Sequence, residues 1–170
     1  MRAFALILLA ASVAWVAPAQ AQSTGAKFVE KNKNWSVFEH SGADGKLCFA
    51  VSKPTDFEPK QMQRDDIYFY VSTWPKDGVR DEISIKAGYA YAENSTTTVT
   101  IGSEVFELFN NGDKSFVESP AQERQLVQAM RRGSRMTVKG RSKEGTETVD
   151  VYSLSGVTAS LREVEQNCRS

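Results

Sequence analysis

The chain has 170 residues, with 21 Lys and Arg against 21 Asp and Glu, one His and two Cys. An apolar fraction of 41% supports one packed core and excludes wholesale disorder, and the balanced charge argues against a nucleic-acid binder that neutralises phosphates. One imidazole and two distant thiols make no zinc or haem ligand set, so no metal or cofactor is expected.

Met1-Arg2 gives a short positive start, and Ala3 to Val16 is apolar apart from Ser12. Pro18 ends that run, and Ala19-Gln20-Ala21 is the small-x-small pattern that signal peptidase reads. Residues 1–21 are therefore expected to be a secretory signal peptide cut between Ala21 and Gln22. The run is shorter than the roughly 20 apolar residues of a membrane span, and the mature chain has no transmembrane candidate. Losing Arg2 leaves it with one more acidic than basic side chain. Residues 22–33 (QSTGAKFVEKNK) are expected to be a flexible leader, and residues 34–170 a single β-rich domain. Export gives Cys48 and Cys168 oxidising surroundings, in which the only two cysteines pair. The chain-entropy model credits a loop of that length with about 5 kcal/mol. A redox-active pair would stand closer, as C-x-x-C.

Strand patterning begins at Trp35, Val37 and Phe38, turns at Ser41–Gly45, and resumes where Leu47, Phe49 and Val51 alternate with Cys48 and Ala50. Pro54–Arg64 contains two prolines and reads as a loop. Asp66–Trp74 is the strongest strand, with Ile67, Phe69 and Val71 on one side and Tyr68 and Tyr70 on the other. After the Pro75–Gly78 turn come strands at Arg80–Ala87, Thr96–Ile101 and Glu104–Phe109, the last two joined through Gly102-Ser103. Asn94-Ser95-Thr96 matches a glycosylation acceptor and reads as a polar turn. A short strand at Lys114–Val117 precedes a change of period. Ser119 caps a helix that begins at Pro120, Leu126, Val127 and Met130 share one face, and Gly133 is expected to end it in a left-handed cap. Strands follow at Arg135–Arg141 and Thr146–Leu154, then a helix from Val157 to Cys168. The pattern predicts a mainly β fold: an antiparallel sandwich or partly closed barrel with one packed helix and a short C-terminal helix.

Few residues offer chemistry. His40 lies at a strand end with no nucleophile elbow to serve, since Tyr152-Ser153-Leu154-Ser155-Gly156 lacks the first Gly of G-x-S-x-G. The carboxylate groups Asp65-Asp66, Asp81-Glu82 and Glu144/Glu147/Asp150 read as strand edges and turns, because neighbours on a strand face opposite ways. A basic run, Arg131, Arg132, Arg135, Lys139, Arg141 and Lys143, is a candidate anion- or partner-binding patch; otherwise it is a solvated edge kept charged against aggregation. Tyr68, Tyr70 and Trp74, with Tyr89 and Tyr91, form either an exposed aromatic surface or a second buried layer.

Four stretches, Lys46–Phe49 (KLCF), Val79–Tyr89 (VRDEISIKAGY), Leu126–Ser134 (LVQAMRRGS) and Asp150–Gly156 (DVYSLSG), together with the hairpin from Val99 to Phe109, resemble the invasion-associated locus B family of Gram-negative alphaproteobacteria. The resemblance implies an exported, mainly β protein of the periplasm or outer envelope, with no catalytic motif to carry over. Both cysteines match family positions, and Phe116 stands where similar members often have Trp. The family takes its name from a role in erythrocyte invasion. The resulting expectation is a non-enzymatic envelope protein that binds an unidentified envelope or host-surface component, supporting host-cell invasion or envelope integrity. The alternatives are a periplasmic hydrolase using Asp81 or Glu82 and a purely structural envelope component.

Overall fold

The structure, a computed structural model, describes residues 25–169. The expected signal peptide and residues 22–24 of the leader lie outside them. Eleven strands form one antiparallel sheet. In chain order they are β1 (Lys27–Asn32), β2 (Trp35–Gly42), β3 (Gly45–Ser52), β4 (Asp56–Glu58), β5 (Tyr68–Trp74) and β6 (Val79–Lys86). Then follow β7 (Thr96–Ile101), β8 (Glu104–Asn111), β9 (Lys114–Phe116), helix α1 (Pro120–Arg132), β10 (Arg135–Arg141), β11 (Glu147–Ser153) and helix α2 (Val157–Asn167). The spatial order is β1-β2-β3-β5-β6-β9-β8-β7-β10-β11-β4, so β1 and β4 are free edges and the sheet is not closed.

Alternation along the strands decides which side is inside. Trp35, Val37, Cys48, Ala50, Phe69, Val71, Ile83, Ile85, Val99 and Met136 all point into one core. The sheet curls around it until distant strands meet. Phe69 on β5 packs edge-on against Tyr152 on β11 at 5.8 Å, and the Trp35 indole on β2 donates to the Ser153 carbonyl at 3.0 Å. Both helices lay their apolar sides into the same core: Leu126, Val127, Ala129 and Met130 from α1, and Val157, Leu161 and Val164 from α2. The Cys48–Cys168 disulfide fastens the end of α2 to β3 across 120 residues, with the Cα atoms 5.9 Å apart.

Most elements form where the sequence predicts them, with three differences. Residues 27–32, expected within a flexible leader, form β1, which pairs along β2 despite its charged sequence. The Pro54–Arg64 loop contains β4, a three-residue strand that adds to the edge of β11. Gly133 ends α1 in an extended conformation (φ −81°), not a left-handed one. Glycine is needed there for closeness: a Cβ would stand 2.5 Å from Ile101 Cγ2 and 2.8 Å from Leu154 Cδ1. Gly156, by contrast, does adopt positive φ (97°) at the start of α2, hard against the Asn32 carbonyl.

One ion pair is enclosed between the loop after β4 and β11. Arg64 donates to both carboxylate oxygens of Asp150, at 2.6 and 2.7 Å, and two of its nitrogens donate to the Ala87 carbonyl. The two side chains are only 2% and 3% exposed. Tyr89 lies over the guanidinium at 4.9 Å and shares a hydrogen bond with Thr148 at 2.6 Å. Burial opposes the charge on Arg64, yet the bonds to Asp150 outweigh it and its pKa is raised. The fork-to-fork geometry leaves few polar atoms unsatisfied, which is the condition under which a buried pair is tolerated. Asp150→Ala therefore strands a buried cation and is expected to cost about 3–5 kcal/mol in chemical denaturation. The double variant Arg64→Met/Asp150→Leu, which removes both charges, is expected to recover most of that loss.

Candidate functional site

Among the described residues, the outward face of the sheet is where solvent meets side chains that neither α1 nor α2 covers, because both pack on the inner side. Cross-strand pairing sets its contents. Phe28 on β1 stands opposite Phe38 on β2, and Phe38 opposite Phe49 on β3. Their rings meet at 5.6 and 5.5 Å, and Phe49 continues to Tyr70 on β5 at 5.9 Å. Tyr68 adjoins Tyr70 at 5.6 Å. Beyond β6, Phe116 on β9 stacks on Phe109 of β8 at 5.7 Å. Phe28 and Phe109 are 53% and 48% exposed, and Val105 on β8 is 61% exposed, so the row is apolar surface in contact with water. Aromatic pairs of this kind stabilise a sheet by about 0.2–1 kcal/mol each, which accounts for their presence without accounting for their exposure.

Between Phe49 and Phe116 the face dips into an open cleft of about 610 Å³. Tyr70 and Trp74 line it with these two rings, and Glu82, Lys86, Asp113 and Lys114 supply its charges. Burial raises the Tyr70 hydroxyl pKa, keeping the phenol neutral. Of the aromatic residues singled out in the sequence, Tyr68, Tyr70 and Trp74 do lie on this half-exposed face. Tyr89 and Tyr91 do not: Tyr91 is buried and Tyr89 serves the Arg64 pair. Phe28, Phe38, Phe49, Phe109 and Phe116 were missed. The alternation of Leu47 and Phe49 with Cys48 and Ala50 contained the signal, but the smaller pair turns inward because Cys48 must reach α2.

The basic run is spread over two surfaces. Arg135, Lys139 and Arg141 share the outward side of β10, as their spacing predicts, while Arg131 and Arg132 close α1. Carboxylates offset most of them: Arg131 meets Glu165 at 2.6 Å, Arg132 Glu104 at 3.0 Å, Arg141 Glu147 at 2.7 Å, and Lys143 Glu144 at 3.8 Å. Among the described residues, Arg135 and Lys139 alone of the six have no such partner.

The acidic candidates separate. Asp66 pairs with Lys53 at 2.8 Å, and Asp150 with Arg64. Glu82 lines the outer cleft, whereas Asp81 is surrounded electrostatically by Arg131, Glu165, Arg80 and Arg124. Asp81 holds a positive φ (59°) where the β5–β6 register shifts, a bulge that turns it out of line with its neighbours. Burial raises its pKa, and also that of the enclosed Glu123, which accepts from the Ile83 N–H at 3.3 Å. His40 is half-buried on β2, opposite Leu47. No group of three or more His, Cys, Asp or Glu side chains arranged for a metal ion occurs among the described residues, and no helix there is long and apolar enough to cross a membrane.

Glu123 gives a pH test. Its pKa is higher folded than unfolded, so its charge destabilises the fold at neutral pH, and the penalty disappears as pH falls through the raised value. Glu123→Gln keeps an acceptor for Ile83 and is expected to raise the Tm at neutral pH. The advantage should vanish by about pH 4, read by thermal denaturation across a pH series.

A family model for invasion associated locus B (IalB) protein matches residues 35–165. No curated protein sequence matches the chain. Among solved structures, the crystal structure of invasion associated protein b from Bartonella henselae is similar with a TM-score of 0.57 and 15% identity, over 81% of this chain and 95% of that one. At that identity the likeness speaks for the fold.

Proposed function

The chain belongs to the invasion associated locus B family, and from that premise we propose that it is an exported envelope protein that binds a partner through the outward aromatic face of its sheet and catalyses no reaction. The observation that carries this reading is the row Phe28-Phe38-Phe49-Tyr70, continued by Phe116 and Phe109, on a face left open by both helices. Contiguous exposed apolar patches rimmed by polar residues mark interaction sites. Export is supported by the leader sequence and by a disulfide, which persists in oxidising compartments. The names of the family and of the Bartonella henselae protein add contact with a host cell as the setting.

The hydrolase reading has less support, since Asp81 and Glu82 have different surroundings and do not flank one cleft. The unpaired Arg135 and Lys139 favour a second, anion-attracting patch on β10. Arg135→Glu/Lys139→Glu should lower retention on anionic envelope surfaces and reduce its salt dependence.

The main test compares retention of the disulfide-bonded protein on isolated cell envelopes. Phe49→Ser/Tyr70→Ser is expected to reduce retention about tenfold or more, equivalent to at least about 1.4 kcal/mol, while near-ultraviolet circular dichroism stays native. Undiminished retention by a folded variant would remove the aromatic face from the function. Equal absence of retention by the native protein would leave the purely structural role standing.

A further inference from the structure

The cleft between Phe49 and Phe116 combines features that no requirement of folding explains. Its four charged side chains, Glu82, Lys86, Asp113 and Lys114, make no ion pair among the described residues, although ten such pairs occur elsewhere on the protein. Lys86 and Lys114 stand directly opposite each other on β6 and β9. Like charges in that position cost stability and bring nothing to the sheet. Trp74, whose ring borders the cleft, has its indole Nε1 enclosed with no acceptor among the described residues. The groups that pair with the four cleft charges are to be sought in a ligand.

The arrangement restricts the ligand's chemistry. Two carboxylates and two ammonium groups cancel, so the cleft selects for neither net charge. Its polar groups call for a molecule rich in both donors and acceptors. Its rings, Phe49, Tyr70, Trp74 and Phe116, call for a molecule that also presents apolar faces. An extended peptide adding as a strand is excluded, because β3, β5 and β6 are each paired on both sides and offer no free backbone ladder. A hydrocarbon tail or the apolar side of a helix would bury four charges without partners. A sugar chain meets every condition, with C–H faces for the rings and hydroxyls that both donate and accept.

We propose that this cleft binds a neutral glycan segment, with sugar faces packed on Tyr70 and its neighbouring rings and hydroxyls bonded by Glu82, Lys86, Asp113 and Lys114. A volume of about 610 Å³ suits a short oligosaccharide segment. The inference rests on the aromatic face being the binding surface and assigns the class of what it binds.

Isothermal titration calorimetry of the disulfide-bonded protein with three neutral hexasaccharides, of α-1,4-glucose, β-1,4-glucose and β-1,4-N-acetylglucosamine, tests it, with a uronic-acid hexamer as the charged counterpart. At least one neutral hexamer is expected to bind with a Kd of about 1 mM or tighter. Tyr70→Ala should weaken that binding about tenfold and Lys114→Gln about threefold or more, while Tyr70→Phe, which keeps the ring, rescues most of the Tyr70→Ala loss and the exposed Arg162→Gln on α2 leaves binding unchanged. Lys114 is exposed, so its variant folds whatever Tyr70→Ala does. Failure of all three neutral hexamers to bind overturns the assignment. So does preference for the uronic-acid hexamer, or sugar binding indifferent to both Tyr70→Ala and Lys114→Gln. Parallel retention on envelopes separates the two levels. If retention still depends on Tyr70 while no sugar binds, the glycan falls and the binding face stands; if retention is indifferent too, both fall.

Discussion

Trp35 holds the architecture together. An open sheet of eleven strands has no closing pair to fix its curvature, so something inside must hold its distant parts against one another. The Trp35 ring is fully buried, meets Phe69 of β5 edge-on at 6.1 Å, and donates its indole hydrogen to a β11 carbonyl. One side chain thus ties β2 and β5, near one end of the strand order, to β11 near the other. Its N–H is satisfied where a Phe would leave that carbonyl without a donor, which is why an aromatic with a polar handle suits the position. Once these strands are gathered, Phe69 reaches Tyr152, α2 finds its seat over β1, β2, β3 and β5, and Cys168 arrives beside Cys48.

Period-two patterning made most of this legible. Asp66–Trp74 gave both its strand and its two faces, and Ser119-Pro120 gave the start of α1 to the residue. What escaped reading depends on tertiary pairing. β1 has the composition of a linker and becomes a strand only because β2 offers an edge. β4 exists only because β11 lies alongside. Gly133 carried a correct stop signal for a different reason, crowding by Ile101 and Leu154 and not handedness. The candidate surface was legible in part for the same cause. Tyr68 and Tyr70 declare their side against Phe69, but Phe49 looks like core until the disulfide commits Cys48 inward.

The two faces obey different rules. Inside, most polar groups are paired: Arg64 with Asp150 and Ala87, Tyr89 with Thr148, and Ser115 with Thr97 and Asn110. Outside, rings are left wet and charges beside the cleft are left unpaired. Apart from the unpartnered Tyr152 hydroxyl, the interior is paired through these networks, and the contrast gives the outward face its functional weight.

The disulfide also orders events in time. Cys48 and the strand that bears it are made before α2, which covers that strand and follows all eleven strands in the chain. A chain emerging from its N-terminal end therefore presents Trp35, Val37, Cys48 and Ala50 with no lid until nearly all of it is available. No native cysteine partner exists during that interval, so the thiol is open to attack and the apolar strands to association. The bridge fixes α2 in its docked place, since Cys168 directly follows that helix. Until Cys168 is available, the inner side of β3 depends on whatever else shields it.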